Sequence, residues 1–507
     1  MLESYVKRIL GSRVYDIARE TPLHHAPALS GRLGLPVYLK REDLQPVFSF
    51  KIRGSYNKMA QMSAAKQGAG VIAASAGNHA QGVALAARTL GIAATIVMGR
   101  NTPSIKVNAV KSFGAKVVLH GDTYDEAAAH AAQLCAAQGL VYIHPYDDVD
   151  VIAGQGTVGM EIVNQSQTPP HTIYVPVGGG GLIAGIATYV KYLYPQTRIV
   201  GVEPQGSHCL AAAKAAGKRV RLPAQELDLF ADGVSVAQMG KETFKVARDY
   251  VDEVVVVSVD EICGAIKDVF EETRVIAEPA GALAVAGMKR DLAEQDTPAE
   301  AGPMVAVISG ANVNFDRLRH ISERAEVGEA REAVLAVTIE EQRGSFLNFC
   351  RAIGRRGITE FNYRQARDGQ AHIYVGLQMS SPEDRQETLN QLNTKGYAVV
   401  DMTDNEVAKL HVRHMVGGRQ PGAEAELVYR FEFPERPGAL MGFLAELGAD
   451  WDISLFHYRN HGSAFGRVLV GFRAGSAQRS ALKKYLNRIG YRFWEETDNP
   501  AYELFLK

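Results

Sequence analysis

The chain has 507 residues, a formal net charge of -1, and 46% hydrophobic and 22% charged residues. That length exceeds one ordinary domain, so two or three cores are expected, and the near-neutral balance leaves no electrostatic footprint for nucleic acid or an acidic membrane surface. Cys135, Cys209, Cys263 and Cys350 stand without a Cys-x-x-Cys pair, which points away from a disulfide frame or cysteine metal site and toward a reducing compartment, the cytoplasm.

The N-terminus, Met1-Leu2-Glu3-Ser4, has an early acid and no apolar run of a signal peptide, and no later segment approaches a membrane span. From Val37 onward short apolar strands alternate with longer Ala-rich helices: strand 71–74 and helix 78–90, strand 94–97 and helix 104–113, strand 116–119 and helix 124–138. The rhythm resumes with strand 172–176 and a helix to Tyr194, then strands at 199–202, 254–257 and 305–308. Such alternation predicts an α/β fold, a mostly parallel open sheet in two lobes.

Three of these strands run into small-residue turns: Ser75-Ala76-Gly77-Asn78-His79, Gly178-Gly179-Gly180-Gly181-Leu182 and Ser309-Gly310-Ala311-Asn312. Turns at the carboxyl ends of parallel strands are where open sheets bind ligands, so one cofactor is expected to touch all three. Gly178 to Gly181 would turn backbone N–H groups onto an anion at a helix start, which suits a phosphate. The run lacks the Lys-Ser/Thr of a P-loop, which argues against a nucleoside triphosphate. Residues 179–184 also satisfy Gly-x-Gly-x-x-Ala, with Glu203 after the next strand, so a nicotinamide dinucleotide stays a competing guest.

Ser49-Phe50-Lys51-Ile52-Arg53-Gly54 sets one lysine between an aromatic ring and what reads as a glycine turn. A primary amine condenses with an aldehyde and carries protons once released, provided an apolar setting depresses its pKa. Lys51 is therefore the candidate for the chemistry, against the alternative of a solvated lysine at a helix start. His79 is a rival base, and Glu42, Asp43 and Glu278 invite a metal or acid/base reading; a structural or solvated role is expected for these carboxylates.

Near 321–332 the chain turns charged, and beyond it the strands read as antiparallel and repeat at a spacing of roughly 94 residues. Arg343-Gly344-Ser345-Phe346 answers Pro437-Gly438-Ala439-Leu440, Phe361-Asn362-Tyr363 answers Phe456-His457-Tyr458, and Lys395-Gly396-Tyr397 answers Ile489-Gly490-Tyr491. Each copy reads strand, helix, strand, strand, helix, strand, the split βαβ arrangement, and Gly417 to Gly422 forms a flexible joint between copies. The expected domains are 1–320, 333–406 and 426–499.

Residues 49–54, Ser75 to Gly82, Val177 to Leu182 and Ser309 to Asn314 together resemble the serine/threonine dehydratases of the tryptophan-synthase-β group of pyridoxal-phosphate enzymes. The duplicated half resembles the pair of ACT-like regulatory repeats of the biosynthetic members, so the likeness spans nearly the whole chain. It implies pyridoxal 5'-phosphate, with Lys51 bonded to its aldehyde and Phe50 adjoining, Gly178, Gly179, Gly180, Gly181 and Leu182 around its phosphate, Asn78 on the ring's 3'-oxygen and Ser309 at the ring nitrogen. The turn of Ser75, Ala76, Gly77, Asn78 and His79 would hold the substrate carboxylate, and the released Lys51 amine, rather than His79, would act as base. It implies no metal. The implied reaction takes L-threonine to 2-oxobutanoate and ammonia, with L-serine as a secondary substrate, isoleucine as inhibitor, valine as its antagonist, and a homotetrameric assembly. Phe346, Tyr363, Leu440 and Tyr458 are the candidates facing an effector, with core packing the alternative for each aromatic. A non-catalytic amino-acid sensor is the other reading of the chain, and the joint presence of Lys51, Asn78 and Ser309 speaks against it.

Overall fold

A computed structural model describes the chain apart from residues 101, 122, 224–225, 229, 295–301, 319–320, 323, 326–331, 341, 343, 365–369, 406–425, 435–438, 448–450, 460–464 and 500–507. The joint Gly417 to Gly422, Arg343 and the Pro437-Gly438 turn lie outside the described residues. Two compact units divide the chain, Met1–Gly328 and Glu329–Lys507.

The first unit holds two sheets. The larger has the order β1 (Leu23–His25), β2 (Val37–Arg41), β10 (Met304–Ile308), β7 (Thr172–Pro176), β8 (Arg198–Pro204), β9 (Glu253–Val257), all parallel except the β1–β2 pair. The smaller is fully parallel, in the order β5 (Lys116–Leu119), β4 (Ala94–Met98), β3 (Val71–Ala74), β6 (Val141–Tyr142). Every residue of β3, β7 and β10 is buried, as expected of parallel strands covered by helices on both faces. The helix Tyr124–Gln138 begins and ends where local chemistry dictates: Thr123 and Glu126 form a reciprocal cap, and Gly139 at φ +65 closes it.

Among the described residues the second unit holds one antiparallel sheet of eight strands, β14 (Ala398–Asp401), β11 (Glu332–Glu340), β13 (Gln370–Gln378), β12 (Ile358–Arg364), β16 (Ile453–Arg459), β17 (Phe465–Arg473), β15 (Glu426–Pro434), β18 (Arg492–Glu495). Helices Ser345–Ile353 and Pro382–Thr394 belong to the first repeat, and Ala439–Leu447 and Arg479–Ile489 to the second. The predicted duplication is thus a strand-helix-strand-strand-helix-strand unit used twice. The copies join through β12 and β16, where Phe361 lies opposite Tyr458, Asn362 opposite His457 and Tyr363 opposite Phe456. Because Asn362 and His457 are equivalent positions, the local two-fold relation between repeats passes between them.

Candidate active site

Lys51 opens the helix Lys51–Ala60, and its Nζ donates to the Pro145 carbonyl at 2.9 Å. The helix behind it is held by two devices. Gly54 is no turn: it lies inside the helix, and a Cβ on the facing Gly154 would stand 2.7 Å from the Gly54 Cα, so only glycines let the helices Lys51–Ala60 and Val149–Gln165 approach this closely. Arg53, fully buried, donates to Glu42 at 2.7 Å and to Glu161 at 2.5 Å, while Lys40 donates to Glu161 at 2.6 Å. Two cations thereby face two carboxylates in a balanced buried network. Asp43 pairs with Arg41 at 2.7 Å, so Glu42 and Asp43 take the structural role expected of them.

The Lys51 amine faces a cavity enclosing about 460 Å³ of empty space, open mouth included, lined by Phe50, Asn78, Gly178, Gly179, Gly180, Gly181, Leu182 and Ser309 among others. One cavity therefore gathers three strand-end turns and the lysine. Burial pulls the Lys51 pKa down to about 8, partly opposed by the charge of Glu278, which leaves roughly a tenth of the amines neutral at pH 7. Tyr146, Pro176, Gly233, Val234, Glu278 and Ala280 also line it and were not assigned to the site from sequence; only the Asp232-Gly233 turn pair and the acid Glu278 offered any signal.

The glycine run has the form of a cradle. A Cβ on Gly178 would lie 2.9 Å from the Val234 Cα, one on Gly179 would overlap the Tyr146 ring, and Gly180 sits at φ +93. Thr243 Oγ1 donates to the Gly179 carbonyl at 2.7 Å and the Gly240 N–H donates to it at 3.2 Å. In that planar trans peptide the Gly180 N–H points the opposite way. The first N–H groups of the helix Gly181–Leu193 have no acceptor within the helix, so the donor set fits an anion.

Ser309 Oγ donates to the Ala280 carbonyl at 3.2 Å, and the Ser309 carbonyl accepts from the Phe50 N–H at 3.2 Å, tying the β10 turn to the lysine segment. Asn78 donates from Nδ2 to Glu278 Oε1 at 2.6 Å, and its Oδ1 accepts from Asn312 Nδ2 at 2.7 Å. Glu278, expected away from the chemistry, instead stands in the cavity wall; burial first and Asp232 second push its pKa up to about 7.

In the Ser75–His79 turn, the Ser75 N–H is taken by the Val97 carbonyl at 3.1 Å and the Gly77 N–H by Ser75 Oγ at 3.2 Å. Ser75 and Gly77 thus serve the turn, leaving the N–H groups of Ala76, Asn78 and His79. The His79 ring is buried, its Nε2 against the Ile143 carbonyl at 2.8 Å and its Nδ1 against Ser55 Oγ at 3.4 Å. Burial and the Lys51 charge hold its pKa down to about 3, a neutral imidazole whose two nitrogens are both engaged. Glu203 accepts from the N–H groups of Leu210 and Ala211 at 2.8 and 2.9 Å and is fully buried. Buried with each oxygen on a backbone N–H of that helix, it is not exposed to a ribose, which removes the main support for a dinucleotide.

In the second unit Phe346, Tyr363, Leu440 and Tyr458 all lie in one buried core, with Phe346 stacked on Tyr363 at 5.5 Å and set edge-on to Phe456 at 5.1 Å. They stand at the seam between repeats and pack as core residues.

Fold and cavity together define a pyridoxal-phosphate-dependent enzyme, and the model of the family described as pyridoxal-phosphate dependent enzyme matches residues 14–310. The C-terminal regulatory domain of threonine dehydratase matches twice, at 323–412 and 417–506. The L-threonine dehydratase biosynthetic IlvA of Burkholderia multivorans is 52% identical over 99% of both chains, and that of Escherichia coli is 50% identical over 99% of this chain and 97% of its own. Among solved structures, the processed form of threonine deaminase isoform 2 from Solanum lycopersicum is 48% identical with a TM-score of 0.62, covering 64% of this chain and 88% of that one. The chain belongs to the biosynthetic threonine dehydratases, pyridoxal-phosphate-dependent lyases that carry a duplicated regulatory domain. Among the described residues no helix is long and apolar enough to cross a membrane.

Proposed function

We propose that this enzyme converts L-threonine to 2-oxobutanoate and ammonia as the first step of isoleucine synthesis, accepts L-serine as a secondary substrate, and is inhibited by isoleucine with valine opposing it. The observation that carries the catalytic part is the pKa-depressed Lys51 amine in the same cavity as the glycine cradle. Gly178 to Leu182 hold the cofactor phosphate, Asn78 the ring oxygen and Ser309 the ring nitrogen. When bound, the cofactor supplies electron withdrawal from the substrate Cα. Lys51 Nζ takes the Cα proton, and the free N–H groups of the Ser75–His79 turn hold the substrate carboxylate. Ser309 would offer the ring nitrogen a neutral hydroxyl, a weaker proton holder than a carboxylate, and so would moderate the electron withdrawal the cofactor supplies, which suits elimination.

The regulatory part is supported by the two matches to the regulatory domain, and an effector between the repeats would have to repack the core at Phe346, Tyr363, Leu440 and Tyr458. An effector shifts a two-state enzyme only by its differential affinity, so isoleucine must prefer the inactive state by a few kcal/mol. A homotetramer follows from the family resemblance, and four free cysteines support a cytoplasmic setting. The test is an assay of ammonia and 2-oxo acid from threonine with and without isoleucine and valine; no 2-oxo acid from threonine overturns the reading. A soluble fragment ending near Glu332 should keep turnover and ignore isoleucine, and an equally inhibited fragment would move the effector site into the first unit.

A further inference from the structure

The orientation of the Asn78 carboxamide is dictated from outside the cavity. The Val47 carbonyl can only accept, and Asn312 Nδ2 donates to it at 2.8 Å. The second N–H of the same nitrogen goes to Asn78 at 2.7 Å, so Asn78 must present its oxygen there. Asn78 Nδ2 is then turned to Glu278 Oε1 at 2.6 Å, and the Asn312 backbone N–H supports that carboxylate. A carbonyl of the segment before Lys51, a residue after β10 and a residue opening the helix Pro279–Glu294 thus form one directional chain. At its end a single N–H of Asn78 is left unspent, on a residue that lines the cavity.

We propose that Glu278 and Asn312 are positioning residues that clamp the Asn78 carboxamide from both sides, so that its remaining N–H is presented to the oxygen on the cofactor ring. This rests on the reading that Asn78 serves that oxygen. Gly310 belongs to the same device: a Cβ there would lie 3.1 Å from the Phe48 carbonyl and would also run into the Glu278 carboxylate, so the glycine keeps room for the clamp. Without Glu278 the amide is held through Asn312 alone, and the N–H meant for the ring oxygen loses its second anchor.

The test uses the full-length enzyme freed of cofactor and titrated with pyridoxal phosphate, reading affinity and the position of the visible absorbance band, with far-ultraviolet circular dichroism to verify folding. Asn78→Ala and Glu278→Ala should each weaken binding by about tenfold, the scale of one charge-assisted hydrogen bond, and move the band alike. At pH 9, above the Lys51 bend in either protein, Glu278→Ala should cost the Asn78→Ala variant no further affinity, because both remove the same contact. Glu278→Gln keeps an oxygen for the Asn78 N–H and should recover most of the affinity. Asn312→Ala, in a half-buried loop, removes the other half of the clamp and should give the same band shift with a smaller loss, which keeps the test decisive should Glu278→Ala fail to fold. Unchanged affinity and band in folded Glu278→Ala or Asn312→Ala, or additive losses in the double variant, overturn the clamp. An unchanged Asn78→Ala would instead overturn the placement of Asn78 at the ring.

Discussion

The interior of Met1–Gly328 carries a network of opposed charges behind the lysine, Arg53 with Glu42 and Glu161 and Lys40 with Glu161, whereas the core of Glu329–Lys507 is built on rings. There Phe346, Phe361 and Phe456 meet at centroid distances of 4.8 to 5.8 Å, and Phe431 meets Phe443 at 5.1 Å. Ion pairs in a buried site are directional and costly to disturb, so they hold the helix of Lys51 in one place. Aromatic contacts bury much area in offset or edge-on geometries, so the seam is held by apolar area and ring shape rather than by charge. The difference is between a site fixed by charge and a regulatory domain whose repeats are joined by ring packing.

Removing Lys51 should have the largest effect. Lys51→Ala is expected to abolish the visible band of the lysine-bound cofactor and cut turnover by at least the ~10²- to 10⁴-fold that a general base supplies. Lys51→Arg should fail as well, since a guanidinium stays protonated. Substantial turnover in either would mean that another base does the work.

The charge network offers the next effect. Arg53→Ala strands Glu42 and leaves Glu161 with Lys40 alone, and should destabilise the first unit by about 3–5 kcal/mol in urea unfolding. A loss under about 1 kcal/mol would erase the contrast between the two cores. Phe346→Ala should cost the second unit about 3 kcal/mol through the cavity it leaves, while turnover without isoleucine holds and inhibition weakens. Equal loss of basal turnover would show that the seam also supports the chemistry.

The smallest effect sharpens the electrostatics. Reloading of cofactor-free enzyme requires the neutral Lys51 amine, so its rate should rise about tenfold per pH unit below about 8 and level off there, not near the 10.5 of an ordinary lysine. Burial lowers that bend and the charge of Glu278 raises it. Glu278→Gln should therefore move the bend to lower pH, and stopped-flow absorbance across pH 6–10 would detect a shift of either sign.

Much of the scaffold was legible because its signals are local. Helices Asn78–Leu90 and Tyr124–Gln138 and strands Val71–Ala74, Lys116–Leu119 and Thr172–Pro176 begin and end as the caps, glycines and apolar runs dictate. Repetition exposed the duplicated sheet, since each half carries the same glycine and aromatic positions. The lysine and the glycine cradle were legible for a related reason: their chemistry lies in a few consecutive residues.

What sequence could not assign are roles set by distant neighbours. Gly54 reads as a turn until Gly154 arrives 2.7 Å away and makes it a helix crossing. Glu203 fits a dinucleotide pattern until its oxygens are found on Leu210 and Ala211. Glu278 reads as one more carboxylate until burial and a bond to Asn78 set it in the cavity wall, with the charge of Asp232 helping to raise its pKa. Sequence alone determined the order of elements, the duplication and the reactive amine, because propensity, period and amine chemistry act over a few residues. Tertiary structure alone decided which polar groups share the cavity and in which protonation state, because desolvation and hydrogen-bond partners depend on what the rest of the chain brings within a few ångströms.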